Sequence, residues 1–144
     1  MSIKQLFVIF ILVGGFSFVL SSQKEYAAKK TIQTNQVTVI VGTASWCPLC
    51  KTNGQRIKGE IIPTFINDSH YRIYIYDLSD ETSINSSLDK MTEPGLKKFA
   101  KKRPSATGVI YFINSKTNAL IQKISVTEPS EKIIQAFKEV LTKV

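Results

Sequence analysis

The segment Trp46-Cys47-Pro48-Leu49-Cys50 contains both cysteines of the chain and lies at a junction between two kinds of sequence. Before it, Val37-Thr38-Val39-Ile40-Val41-Gly42-Thr43 is an apolar, β-branched run that reads as a buried strand. After it, from Pro48 onward, apolar residues recur at helical spacing: Ile57, Ile61, Ile62, Phe65 and Ile66. A Cys-x-x-Cys between the end of a strand and the first turn of a helix is suited to making and breaking disulfides. A helix start at Cys47 offers its sulfur unpaired amides and the positive end of the helix dipole, which stabilise a thiolate. Pro48 suits the first helical position, where no amide donor is needed. Cys50 then lies one turn along the same face. This predicts Cys47 as the attacking thiolate and Cys50 as the resolving thiol, with Trp46 packed beside an exposed sulfur.

The rest of the chain supplies one domain around this junction. Its 144 residues, 43% hydrophobic, suffice for a modest core. Gly54, Gly59 and Pro63 weaken the first helix, and Pro63 is expected to kink or end it. Tyr71–Leu78 reads as a second strand, with Tyr71, Tyr74 and Tyr76 as ordinary strand patterning and Asp77 marking its end. Residues 79–91 are polar, with a short helical turn near Leu88. Thr92 is expected to cap a helix with Pro94 in its first turn and Leu96, Phe99 and Ala100 inward. Strands are predicted over 106–113 and 120–126, joined by a hairpin loop at 114–118. Thr127-Glu128-Pro129 resembles a second capped start, before a helix facing inward with Ile133, Ile134, Phe137, Val140 and Leu141. The order β-α-β-(α)-α-β-β-α makes an α/β fold: a parallel βαβ half plus a ββα half, giving a central mixed sheet flanked by helices.

Residues 1–21 stand apart. Leu6–Leu20 is uncharged and apolar except for Gly14, Gly15 and Ser17, and follows a short segment carrying Lys4. As a helix it would span about 22 Å, short of the roughly 30 Å hydrocarbon core. It reads as a signal peptide cleavable after Ser21, or as an N-terminal membrane anchor through residues 6–20. Residues 22–36 form a linker, with a short strand possible around Thr31–Gln33, and 37–144 form the domain. Either reading places that domain outside the cytoplasm (periplasmic, secreted or membrane-anchored), where disulfide chemistry is permitted.

The net charge is +8. Lys97, Lys98, Lys101, Lys102 and Arg103 read as the solvated face of a helix, and no aromatic platform interleaves with them, so no nucleic-acid partner is expected. Tetrahedral zinc needs four ligands, whereas the chain has two cysteines and one histidine, His70, in a distant turn. No metal and no cofactor are expected. The rival class is a non-enzymatic module that binds a metal or a partner through the same two cysteines.

With these residues in view, the chain resembles the thioredoxin superfamily over roughly residues 37–144, including its exported or membrane-anchored thiol–disulfide oxidoreductases. The resemblance implies a thioredoxin-like fold acting on protein thiols and disulfides with a redox partner protein. It implies catalytic Cys47 and Cys50, and substrate contacts at Trp46, Pro48 and the position facing the motif. Thioredoxins generally place a cis-proline at that last position. Counting back from Phe112 gives Thr107-Gly108, and the nearest proline is Pro104. Either Thr107 replaces the proline or an irregular stretch lets Pro104 serve, and the count favours Thr107. Typical thioredoxins also carry a buried acid six residues before the first cysteine, where this chain has Val41. Pro48-Leu49 between the cysteines points to neither oxidase nor reductase.

Overall fold

A computed structural model describes residues 35–102 and 106–144. The expectations for residues 1–34, for the strand near Thr31 and for Pro104 lie outside the described residues. The observed order is β1 (Val37–Thr43), α1 (Pro48–Arg56), a π-helical turn (Ile57–Ile61), α2 (Ile62–Phe65), β2 (Tyr71–Asp77), α3 (Glu81–Asp89), α4 (Leu96–Lys102), β3 (Val109–Asn114), β4 (Leu120–Ser125) and α5 (Ser130–Val140), closed by a 3-10 turn at Leu141–Lys143.

The strands form one mixed sheet in the order β2-β1-β3-β4. β1 pairs parallel with β2, from Val37 opposite Tyr71 to Thr43 opposite Asp77. β3 pairs antiparallel with both β1 and β4. The parallel pair requires a crossover, which α1, the π turn and α2 supply.

Side chains alternate across the strands, so the two faces build separate cores. On one face Val37, Val39, Val41, Ile110 and Phe112 meet Ile57, Ile61 and Phe65 of the crossover and Ile133, Phe137 and Val140 of α5. Phe137 stacks on Phe65 with ring centroids 4.1 Å apart and meets Phe112 edge-on at 4.9 Å. On the other face Ile40, Tyr111 and Ile113 pack with Leu88, Met91, Leu96 and Ala100 around α3 and α4. Each such large apolar side chain contributes about 1.5–3 kcal/mol on burial.

Several local expectations change. Within residues 79–91, Glu81–Asp89 form a full helix, α3, capped by Asp80, whose carboxylate accepts the Ser83 amide at 2.7 Å. Thr92 is not a cap: α4 begins at Leu96 behind Gly95, whose φ of +82° suits glycine. α5 begins after Pro129 without a side-chain cap. β3 starts at Val109, because 106–108 leaves the sheet as a turn. The helix runs through Pro63 and ends two residues later, at Phe65. The preceding π turn, with the Ile62 amide bonded to the Ile57 carbonyl, widens the backbone where the proline ring would meet the carbonyl one turn back. Ile66, expected inside, is 58% exposed at the helix end.

Candidate active site

The carboxyl end of β1 delivers Cys47 to the N-cap of α1. Cys47 has extended backbone angles (φ −80°, ψ 115°), and Pro48 follows in the first helical turn. The Cys47 amide donates to the Ala44 carbonyl at 3.2 Å, closing the turn that lifts the chain from strand to helix. The Cys47 sulfur caps the helix by accepting the Cys50 amide at 3.3 Å. The Cys50 thiol donates to the same sulfur, with the two sulfurs 2.6 Å apart. The two cysteines are not joined in a disulfide.

Their protonation preferences diverge. Burial pushes Cys47 upward, but hydrogen bonds from the Cys50 thiol, the Thr107 side chain and the Cys50 and Leu49 amides outweigh it, leaving Cys47 below the ordinary thiol value of 9.0. Burial and its donation to Cys47 push Cys50 above that value, against weaker opposition from the Ala44 backbone and the Thr43 side chain. Of the two, Cys47 is therefore the thiol that gives up its proton more readily.

Cys47 is only 3% exposed, so the expected open sulfur is instead sheltered. Trp46 and Leu49 stand out around it, 58% and 47% exposed. The structure brings Thr107 to Cys47. The 106–108 turn is pinned by the Gly108 amide, which donates to the Gly42 carbonyl at 2.8 Å, and by the Gly108 carbonyl, which accepts the Val126 amide at 2.9 Å. A Cβ at Gly42 would lie 2.6 Å from the Ala106 carbonyl oxygen, so glycine is what lets this turn approach. Gly108 has φ +73°, and a Cβ there would meet Leu49 at 3.4 Å. Val41 lies in the apolar core.

Sequence reasoning missed the groups on the far side of Cys50. A cleft of about 260 Å³ there is lined by Cys50, Lys51, Lys58, Asp77 and Ser79, among others. The parallel register, with Thr43 opposite Asp77, brings β2's last residue to the site. His70 is not part of it. It pairs with Asp68 at 2.7 Å before the start of β2, at the opposite end of a strand about 20 Å long. Among the described residues no group of three or more His, Cys, Asp or Glu side chains gathers as metal ligands.

No protein-family model matches the chain, and no curated protein does. Solved structures do. A candidate protein disulfide isomerase from Bacteroides thetaiotaomicron is 18% identical, with 76% of each chain covered and a TM-score of 0.51. Tryparedoxin from Trypanosoma brucei is 16% identical, covering 73% of this chain and 79% of its own, with a TM-score of 0.49. The first of these likenesses, together with the four-stranded mixed sheet between helical layers, shows that this chain has a thioredoxin-like fold.

Proposed function

We propose that the chain is a thiol–disulfide oxidoreductase that exchanges disulfides with protein cysteines outside the cytoplasm through Trp46-Cys47-Pro48-Leu49-Cys50. The observation that carries this reading is the geometry of two adjacent thiols at the start of α1, where Cys47 caps the helix and the Cys50 amide and thiol are both directed at its sulfur, an arrangement that lowers Cys47 while burial raises Cys50. In the exchange the Cys47 thiolate attacks a substrate disulfide, forming a mixed disulfide and releasing one substrate thiolate. Cys50, once deprotonated, attacks the Cys47 sulfur. The Cys47–Cys50 disulfide forms, the second substrate thiolate leaves, and two electrons have passed from enzyme to substrate. The reverse sequence oxidises a substrate dithiol. Trp46 and Leu49 offer an apolar rim for a docked polypeptide, and Thr107 and Pro48 flank the sulfur.

The extracytoplasmic setting is supported by the uncharged apolar segment 6–20, through which the protein would be exported or held at a membrane. Among the described residues no helix is long and apolar enough to cross a membrane.

Reduction of insulin disulfides tests the reading. Wild type is expected to turn over and Cys47→Ser to be inactive, while Cys50→Ala accumulates mixed disulfides with its protein substrates. A wild type without turnover that carries stoichiometric metal would replace the enzyme with a metal-binding module. The direction of exchange follows from the reduction potential: about −270 mV marks a reductant and about −120 mV an oxidant.

A further inference from the structure

Resolution of the mixed disulfide requires Cys50 to lose its proton, because the thiolate is the nucleophile. Burial and its bond to Cys47 work against that loss. β1 offers no base beneath the sulfur, where Val41 belongs to the apolar core. The opening beside Cys50 is the cleft of about 260 Å³, large enough to hold water. Its titratable side chains, besides Cys50, are Lys51, Lys58 and Asp77. A lysine ammonium has no lone pair to accept a proton, so Asp77 is the one acceptor among them.

Asp77 is held there by design of the sheet. It stands opposite Thr43 in register, and the Leu78 amide donates to the Thr43 carbonyl at 2.8 Å. Thr43 lines the same cleft as Cys50. Asp77 Oδ1 accepts from both the amide and the hydroxyl of Ser79. No hydrogen bond among the described residues engages Oδ2, which is left for water. Lys90 of the α3 cap lines a neighbouring cleft with Asp77, so Lys51, Lys58 and Lys90 are the other charged groups lining the two clefts that Asp77 borders.

We propose that Asp77 accepts the Cys50 proton through water in this cleft, at the resolving step of the exchange. The step balances: the proton passes from Cys50 Sγ to a water and from that water to Asp77 Oδ2, while the Cys50 electron pair forms the new S–S bond and the substrate thiolate leaves. The proton on Asp77 then returns to solvent through the same cleft. The inference rests on the exchange reading above, and is independent of the direction in which the enzyme runs.

Asp77 also has a holding role, since the Ser79 hydroxyl accepts the Ser45 amide at 2.7 Å and so steadies the turn leading to Cys47. The test must separate the two. Reduced protein is mixed with 5,5′-dithiobis(2-nitrobenzoate): the first thiolate released reports attack by Cys47, and the second reports resolution by Cys50. Asp77→Asn keeps an oxygen for Ser79 and removes the base. Ser79→Ala keeps the base and removes the holding bonds. In Asp77→Asn the second release is expected to slow by about tenfold to a hundredfold near neutral pH, with the first unchanged and the second recovering as pH rises and hydroxide takes over. Ser79→Ala is expected to resolve at close to the wild-type rate. Equal slowing of both releases in both variants would reduce Asp77 to a strut, and an unslowed second release in Asp77→Asn would overturn the proposal while leaving the exchange reading intact. Absence of any release from wild type would instead remove the exchange reading, and this proposal with it.

Discussion

Cys47 and Cys50 are identical side chains three residues apart, and their surroundings give them opposite acid–base behaviour. Cys47 collects donors: the Cys50 thiol, Thr107 and two helix amides. Cys50 is buried, and its proton is committed to its neighbour. Thr107 is the part of this arrangement that comes from outside the motif. Replacing it with valine keeps its shape and removes its hydroxyl. The folded protein then holds its Cys47 thiolate less well, so the titration midpoint moves up toward the ordinary 9.0. The pH profile of Cys47 alkylation in a Cys50→Ser background measures this. Thr107→Val is expected to react several-fold more slowly at neutral pH and to match its parent at high pH. An unmoved midpoint would remove Thr107 from the site.

Among the elements, two local devices position the site. The π turn at Ile57–Ile61 lets a helix continue through Pro63, so that α1, the turn and α2 act as one crossover with α1's first turn at the end of β1. The second device is the 106–108 turn, which leaves β3 early to lie over Gly42 and Cys47. It tolerates no side chain at Gly42. Gly42→Ala would drive a methyl group to 2.6 Å from the Ala106 carbonyl oxygen, so either the turn or β1 must move. The expected cost is about 1–3 kcal/mol, read as a lower urea midpoint. Displacement of Thr107 should also raise the pH at which Cys47 is alkylated. Loss of stability with an unchanged alkylation profile would mean that the turn relaxes without carrying Thr107 away.

Across the whole molecule, the sheet separates a face covered by the crossover and α5 from one covered by α3 and α4. Phe137 anchors the first, stacked on Phe65 and edge-on to Tyr71 and Phe112, and its carbonyl accepts the Tyr71 hydroxyl at 2.6 Å. Tyr71 opens β2, whereas the cysteines lie past the far end of β1, so this aromatic anchor and the cysteine pair occupy opposite ends of the sheet. Phe137→Ala is therefore expected to cost about 3–5 kcal/mol in chemical denaturation. The fraction that remains folded should alkylate Cys47 with the wild-type pH profile. A changed profile would show that the two ends are coupled through the sheet.

Residue identity alone was enough to determine β1, the helix start at Cys47 and the mixed α/β order, because period-two and period-3.6 patterns and the Cys-Pro N-cap are written in neighbouring residues. α3 was obscured by its serines, although Asp80 followed by Glu81 marks its start. The polar starts at Thr92 and Thr127 carried the right residue types for caps, and glycine and proline geometry set the helix starts instead. The sheltering of Cys47, the placement of Thr107 against it and the arrival of Asp77 beside Cys50 were decided only by tertiary structure. Thr107 and Asp77 lie 60 and 27 residues from the cysteines they approach, and strand register and turn packing, to which local sequence is blind, bring them there.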